Sequence, residues 1–165
     1  MQEEQILESA RDTNIETDYL MSMHVPGAGA PHLIDSSLRI HRSSSDGRVH
    51  GPKISGTIVQ PTADWLRICP DGTMRVDARV TIVTNDEAAI FVSYNGIIRI
   101  SRGNFERMSQ GETLTPKDMY FVIAPTFQTA HENYLWLNQI QAVGKVSAIK
   151  GGKGGYVAYD LYAIR

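Results

Sequence analysis

The chain has 165 residues, a single cysteine and a formal net charge of −2, with 42% hydrophobic and 21% charged residues. That length favours one domain with a full core, and one cysteine excludes a framework of intrachain disulfides. The small net charge gives no drive toward nucleic acid or an anionic membrane. No basic run interleaved with aromatics occurs, so neither nucleic acid nor membrane is an expected partner. The opening "MQEEQILESARD" is too polar for a signal peptide, and no apolar run approaches membrane-spanning length; the expected location is the cytoplasm.

Residues 2–12 favour a short helix by propensity, within an N-terminal extension over residues 1–17. From residue 18 the pattern changes to period two, and residues 18–165 read as one domain. "DYLMSMHV" (18–25) alternates Tyr19, Met21 and Met23 against Leu20, Ser22 and His24, as a strand does. "PGAGAPH" (26–32) is a loop. "SLRIHR" (37–42) sets Leu38 and Ile40 against Arg39 and His41, and "SSSDG" closes it in a turn. "KISGTIVQP" (53–61) is a strand whose internal Gly56 points to a bulge or a close backbone approach. "DWLRICPDG" follows and ends on a strong turn signal. "MRVDARVTIV" (74–83) is the longest clean strand, and "AIFVSYNGIIRISR" (89–102) is one strand or a kinked pair. "NFERMSQGE" (104–112) holds a helical turn. "DMYFVIAPTFQT" (118–129) is extended, "YLWLNQIQAVGKVSAIK" (134–150) is a long strand or bent pair, "GGKGG" is a hairpin connection, and "YVAYDLYAIR" (156–165) closes the domain.

These elements amount to about eight to ten strands and almost no helix, the signature of an all-β barrel or sandwich. Closure removes edges, which favours a single antiparallel barrel, and an eight-stranded barrel can hold one small ligand.

Three stretches carry candidate chemistry. In "VDARVT" (76–81) Asp77, Arg79 and Thr81 share one face, opposite Val76, Ala78 and Val80. Either the polar face meets solvent, with Asp77–Arg79 a surface pair of little value, or it lines the lumen, where Arg79 would stabilise an oxyanion. In "ADWLR" (63–67) Asp64 stands beside Trp65. A carboxylate desolvated by a large ring is suited to general acid–base work; a turn-capping role is the alternative. In "TFQTAHENYLWLN" (126–138), read as a strand, Tyr134, Trp136 and Asn138 share a face fit for a flat, polar-edged ligand, or they are satisfied core groups. Tyr94, Tyr120 and Phe127 complete the candidate aromatic lining. The five histidines show no metal-ligand spacing, and no metal or cofactor is expected.

Gly51 and Gly56, Asp64-Trp65, Asp71-Gly72, Asp77 and Arg79, Thr84 and Asp86, Tyr120-Phe121, Phe127 and Thr129, and Tyr134 through Asn138 occur in an order that resembles the family called domain of unknown function 3237. The likeness covers residues 18–165. The chain departs from the family pattern at Asp86-Glu87, where Asp-Gly is usual, and at Pro61-Thr62, where a glycine pair is usual. The resemblance implies a calycin-like barrel, often oligomeric, and singles out Asp64, Trp65, Arg79, Tyr134, Trp136 and Asn138 as pocket residues. By analogy of fold it implies a cofactor-free lyase, isomerase or cyclase, or a simple carrier.

The expectation for function is thus proton-transfer catalysis on a small aromatic or polyketide-like molecule, with Asp64 and Arg79 catalytic. Trp65, Asp77, Tyr94, Tyr120, Phe127, Tyr134, Trp136 and Asn138 would bind the substrate. A non-catalytic binding protein needs the same rings without the titrating group. An assembly role, with Trp136 at a subunit interface of a homo-oligomer, is the third reading.

Overall fold

A computed structural model describes residues 13–165; the helix expected over residues 2–12 lies outside the described residues. The strands are β1 (Thr17–Pro26), β2 (His32–Leu33), β3 (Leu38–Arg42), β4 (Gly47–His50), β5 (Ser55–Ile68), β6 (Met74–Thr84), β7 (Ala89–Ile100), β8 (Thr113–Leu114), β9 (Met119–Gln128), β10 (Ala142–Lys150) and β11 (Tyr156–Ile164). Among the described residues, an α-helix, α1 (Arg102–Ser109), and a 3₁₀ helix (Glu132–Gln139) interrupt them.

The strands form a closed antiparallel barrel. Its circuit runs β5–β4–β1–β11–β10–β9–β7–β6 and closes through β6 on β5. Outside that circuit β3 pairs with the later half of β5, β2 pairs with β3, and β8 pairs with β10.

Period-two patterning places the faces. On β6 Val76, Ala78, Val80 and Ile82 are buried while Arg75 and Arg79 are exposed, so the apolar face looks inward. The strand expected over residues 53–61 and the "DWLRICPDG" stretch after it form one long strand, β5, which runs to Ile68. Its bend lies where β5 carries two more residues than β6 between Val59 and Ala63. Thr62 spans the irregularity: its hydroxyl donates to the Val59 carbonyl at 2.7 Å and accepts from the Thr81 amide at 3.1 Å. Past the bend β5 exchanges β4 for β3 as its neighbour.

The two ends of the barrel differ. One is packed solid, with Met21, Ile54, Ile58, Ile82, Leu137 and Leu161 all at most 2% exposed. Gly56 lies there because a Cβ would run into the Val83 carbonyl and Thr84 Cα, so the close approach expected of this glycine is present. The other end is hollow, with α1, the loop after β1 and the β10–β11 hairpin around its opening.

Candidate functional site

The hollow end encloses a cavity of about 740 Å³, within the usual range for small-molecule sites. Its wall is mostly aliphatic and aromatic, including Leu66, Val80, Ile98, Met119 and Phe121. Polar groups interrupt this wall, and strand register brings several of them onto one row.

His41 is paired with Asp64 across β3 and β5, Asp64 with Ala78 across β5 and β6, and Ala78 with Tyr94 across β6 and β7. All four line the cavity, so His41, Asp64, Ala78 and Tyr94 form one row around the inner wall. Neighbours in such a row have Cβ atoms about 4.5–5.5 Å apart. Ala78, the small member, leaves space between the carboxyl of Asp64 and the ring of Tyr94. Tyr159 of β11 faces Tyr94 with ring centroids 5.9 Å apart, edge to face, and packs on Phe121 at 5.4 Å.

The electrostatics follow from enclosure. Burial pushes the Asp64 carboxyl up to about 6; the Asp77 backbone N–H, which donates to Asp64 Oδ1 at 3.0 Å, pulls the other way, and the nearby Asp77 charge adds to the rise. Burial raises the Tyr94 hydroxyl well above its ordinary range, with the Asp64 charge adding to it. Tyr159 is raised by burial and by both Tyr94 and Asp64. Burial, then the Arg39 charge, lowers His41. The lumen thus brings together a carboxyl that ionises near neutrality, two neutral phenols and a neutral imidazole. Desolvation is the dominant cause throughout, and groups perturbed in this way cluster at functional sites.

Of the residues singled out in the sequence, Asp64 and Tyr94 meet in the lumen. Asp77 and Arg79 do not. They lie on the outer face, each 47% exposed and 3.1 Å apart, because closure turns the apolar face of β6 inward. Trp65 is beside them, its ring 5.0 Å beneath the Arg79 guanidinium. Tyr120 is also outside, under Arg99 at 4.8 Å. Phe127 is buried in the packed core, off the cavity wall.

The stretch 134–138 is not a strand. It lies in the 3₁₀ helix at the packed end, which buries Tyr134 and Leu137 at a spacing of three. Tyr134 donates its hydroxyl to Asp86 at 2.7 Å. Trp136 donates Nε1–H to the Asn133 carbonyl at 3.1 Å and lies under Lys53. Asn138 accepts from the Thr129 amide and donates to the Thr129 carbonyl, both at 2.9 Å. The rings and amides of this stretch therefore close and stitch the barrel's packed end, remote from the lumen row.

Sequence reasoning missed Arg39, His41 and Tyr159. The alternation in "SLRIHR" separates the two faces of β3 but does not show that the polar one faces a lumen. Among the described residues no three of His, Cys, Asp and Glu gather as metal ligands, and no helix there is long and apolar enough to cross a membrane.

Residues 15–164 match the family described as "Protein of unknown function (DUF3237)". The chain belongs to that family. A DUF3237 relative, a UPF0311 protein of Rhodopseudomonas palustris, is 34% identical over 101 residues, which is 61% of this chain and 66% of that protein. The chain thus spans just under two thirds of that curated relative in sequence. The crystal structure of a conserved protein of unknown function from the same organism superposes with a TM-score of 0.80 at 26% identity, over 92% of this chain and 99% of that one. A further relative, the hydroalkoxylation enzyme phnH of Penicillium herquei, is 28% identical over 138 residues, 82% of this chain and 76% of that protein. The barrel of this DUF3237 member is therefore one with a cavity of small-molecule size.

Proposed function

We propose that the lumen binds a small aromatic or polyketide-like molecule and that Asp64 catalyses its cyclisation or isomerisation by proton transfer. The observation that carries this reading is the carboxyl of Asp64 in an apolar cavity, poised near 6 and flanked by Tyr94 and His41 on one row. A proton-transfer group works best when its pKa lies near the working pH. The likeness to a hydroalkoxylation enzyme supports the same reaction class.

Addition of an O–H across a C=C bond illustrates the chemistry. Protonated Asp64 gives its proton to one alkene carbon, forming a C–H bond. A hydroxyl of the same molecule closes on the other carbon, forming C–O, and its proton returns to Asp64. No electrons are gained or lost, so positioning and one acid–base group suffice. Tyr94 and Tyr159 supply neutral hydrogen-bond donors that orient the oxygens, and the aliphatic wall excludes water.

The test is incubation with a panel of 2-alkenylphenols and related polyketide-like phenols in D₂O, followed by chromatography with mass detection. The expected result is a cyclic or isomeric product carrying one carbon-bound deuterium, lost in Asp64→Asn while binding persists. Equal conversion by Asp64→Asn removes Asp64 from the role. Compounds retained but returned unchanged would make the protein a carrier.

A further inference from the structure

The charge on the cavity wall is lopsided. Asp64 is the one carboxylate among the described lining residues, whereas Arg39, Arg42, Lys150 and Lys153 all contribute to the wall or opening. Among the described residues, none of these four cations is in an ion pair. Arg42 donates to the Ala28 carbonyl at 3.3 Å; no hydrogen bond within the described residues engages the Arg39 guanidinium.

A second feature lies beside Arg39. The Nε2 atom of His41 is buried and has no hydrogen-bond partner, and a buried polar atom in that state is uncommon and costly. Arg39 and His41 are two residues apart on β3, so they share its inward face, and both line the cavity. Arg39 is opposite Leu66 and His41 opposite Asp64, which puts Arg39 nearer the opening and His41 nearer the proton-transfer row.

We infer that the ligand is a carboxylate, seated with its anionic group on the Arg39 guanidinium near the opening and its apolar body directed into the lumen. This rests on the reading of the lumen as a binding site and adds the charge class of what it binds. The planar guanidinium matches a carboxylate in shape and charge. Lys150 and Lys153 add a positive rim that favours entry of anions. The aliphatic wall takes the rest of the molecule, and the acid group is held away from Asp64, so the reacting part of the ligand reaches the carboxyl.

The experiment compares 2-naphthoate with 2-naphthamide, which share ring and size and differ in charge, by calorimetric titration at pH 7.5. Wild type is expected to bind the carboxylate at least about tenfold more tightly, the effect of one charge-assisted contact. Arg39→Gln should abolish that preference while the amide still binds, which also shows the variant is folded. Lys145→Gln, on the exposed outer face of β10, should leave both affinities as they are. Equal binding of the two ligands to wild type, or a preference that survives Arg39→Gln, overturns the inference. In those cases, weaker binding of both ligands by Ala78→Leu keeps the lumen reading. Failure of wild type to bind either ligand sinks both.

Discussion

Asp64 and Tyr94 sit on one row of the barrel's inner wall with only Ala78 between them. Ala78 is buried at 2% exposure, yet its short side chain leaves the space that the carboxyl and the phenol look into. A longer side chain there would grow into an existing cavity rather than into packed atoms, so the usual penalty for overpacking does not arise. Ala78→Leu is expected to unfold within about 1 kcal/mol of wild type and to bind 2-naphthoate at least about tenfold more weakly. Urea denaturation and calorimetry on the same preparation check both halves.

Asp64 also makes stability depend on pH. Its folded value of about 6 stands above the ordinary 3.8, so the native state holds this proton more tightly than the unfolded chain does. That advantage is full below about pH 4 and is lost as pH rises through 6. The difference corresponds to at most about 3 kcal/mol, and partial solvent access reduces it. Asp64→Asn keeps an oxygen for the Asp77 amide and carries no charge. It is expected to be more stable than wild type by about 1–3 kcal/mol at pH 8, with the gap closing by pH 4. Denaturant midpoints across that pH range give the answer.

The two ends of the barrel should be separable by mutation. Asn138 joins the 3₁₀ helix to Thr129 through two hydrogen bonds. Asn138→Ala leaves the backbone amide and carbonyl of Thr129 without those partners, at a cost of about 1–3 kcal/mol. Because that end is packed and remote from the row of Asp64, ligand affinity should not change. A lower urea midpoint with unaltered 2-naphthoate binding is the expected pair of results.

Much of the fold was legible because strand period is a local property. The alternation in residues 74–83 and 18–25 marks β6 and β1, and the turn signals between strands fix the β character of the chain. Asp64 was a candidate in the sequence because it stands beside Trp65, with a turn-capping role as the alternative; in the structure it is the lumen and not the Trp65 ring that encloses it. What period two cannot give is which face looks inward. Asp77 and Arg79 stood even between the two until closure turned Val76, Ala78 and Val80 to the core. The polar face of β3 went unassigned for the same reason, since Arg39 and His41 face a lumen that forms only when β3 pairs with the bent half of β5. The segment 134–138 misled differently. Tyr134, Trp136 and Asn138 alternate with two leucines, so the stretch satisfies a strand template. The spacing of three between Tyr134 and Leu137, the two residues buried there, was the signal for a 3₁₀ helix.

The central claim is that Asp64 is a lumen carboxyl poised for proton transfer. Side-chain carboxyl ¹³C resonances, followed by NMR over pH 3–9 with Asp64→Asn to assign the signal, test it most directly. The account predicts that Asp64 titrates near 6 and that 2-naphthoate bound in the lumen displaces its resonance. A titration near 4 with no response to ligand would contradict it.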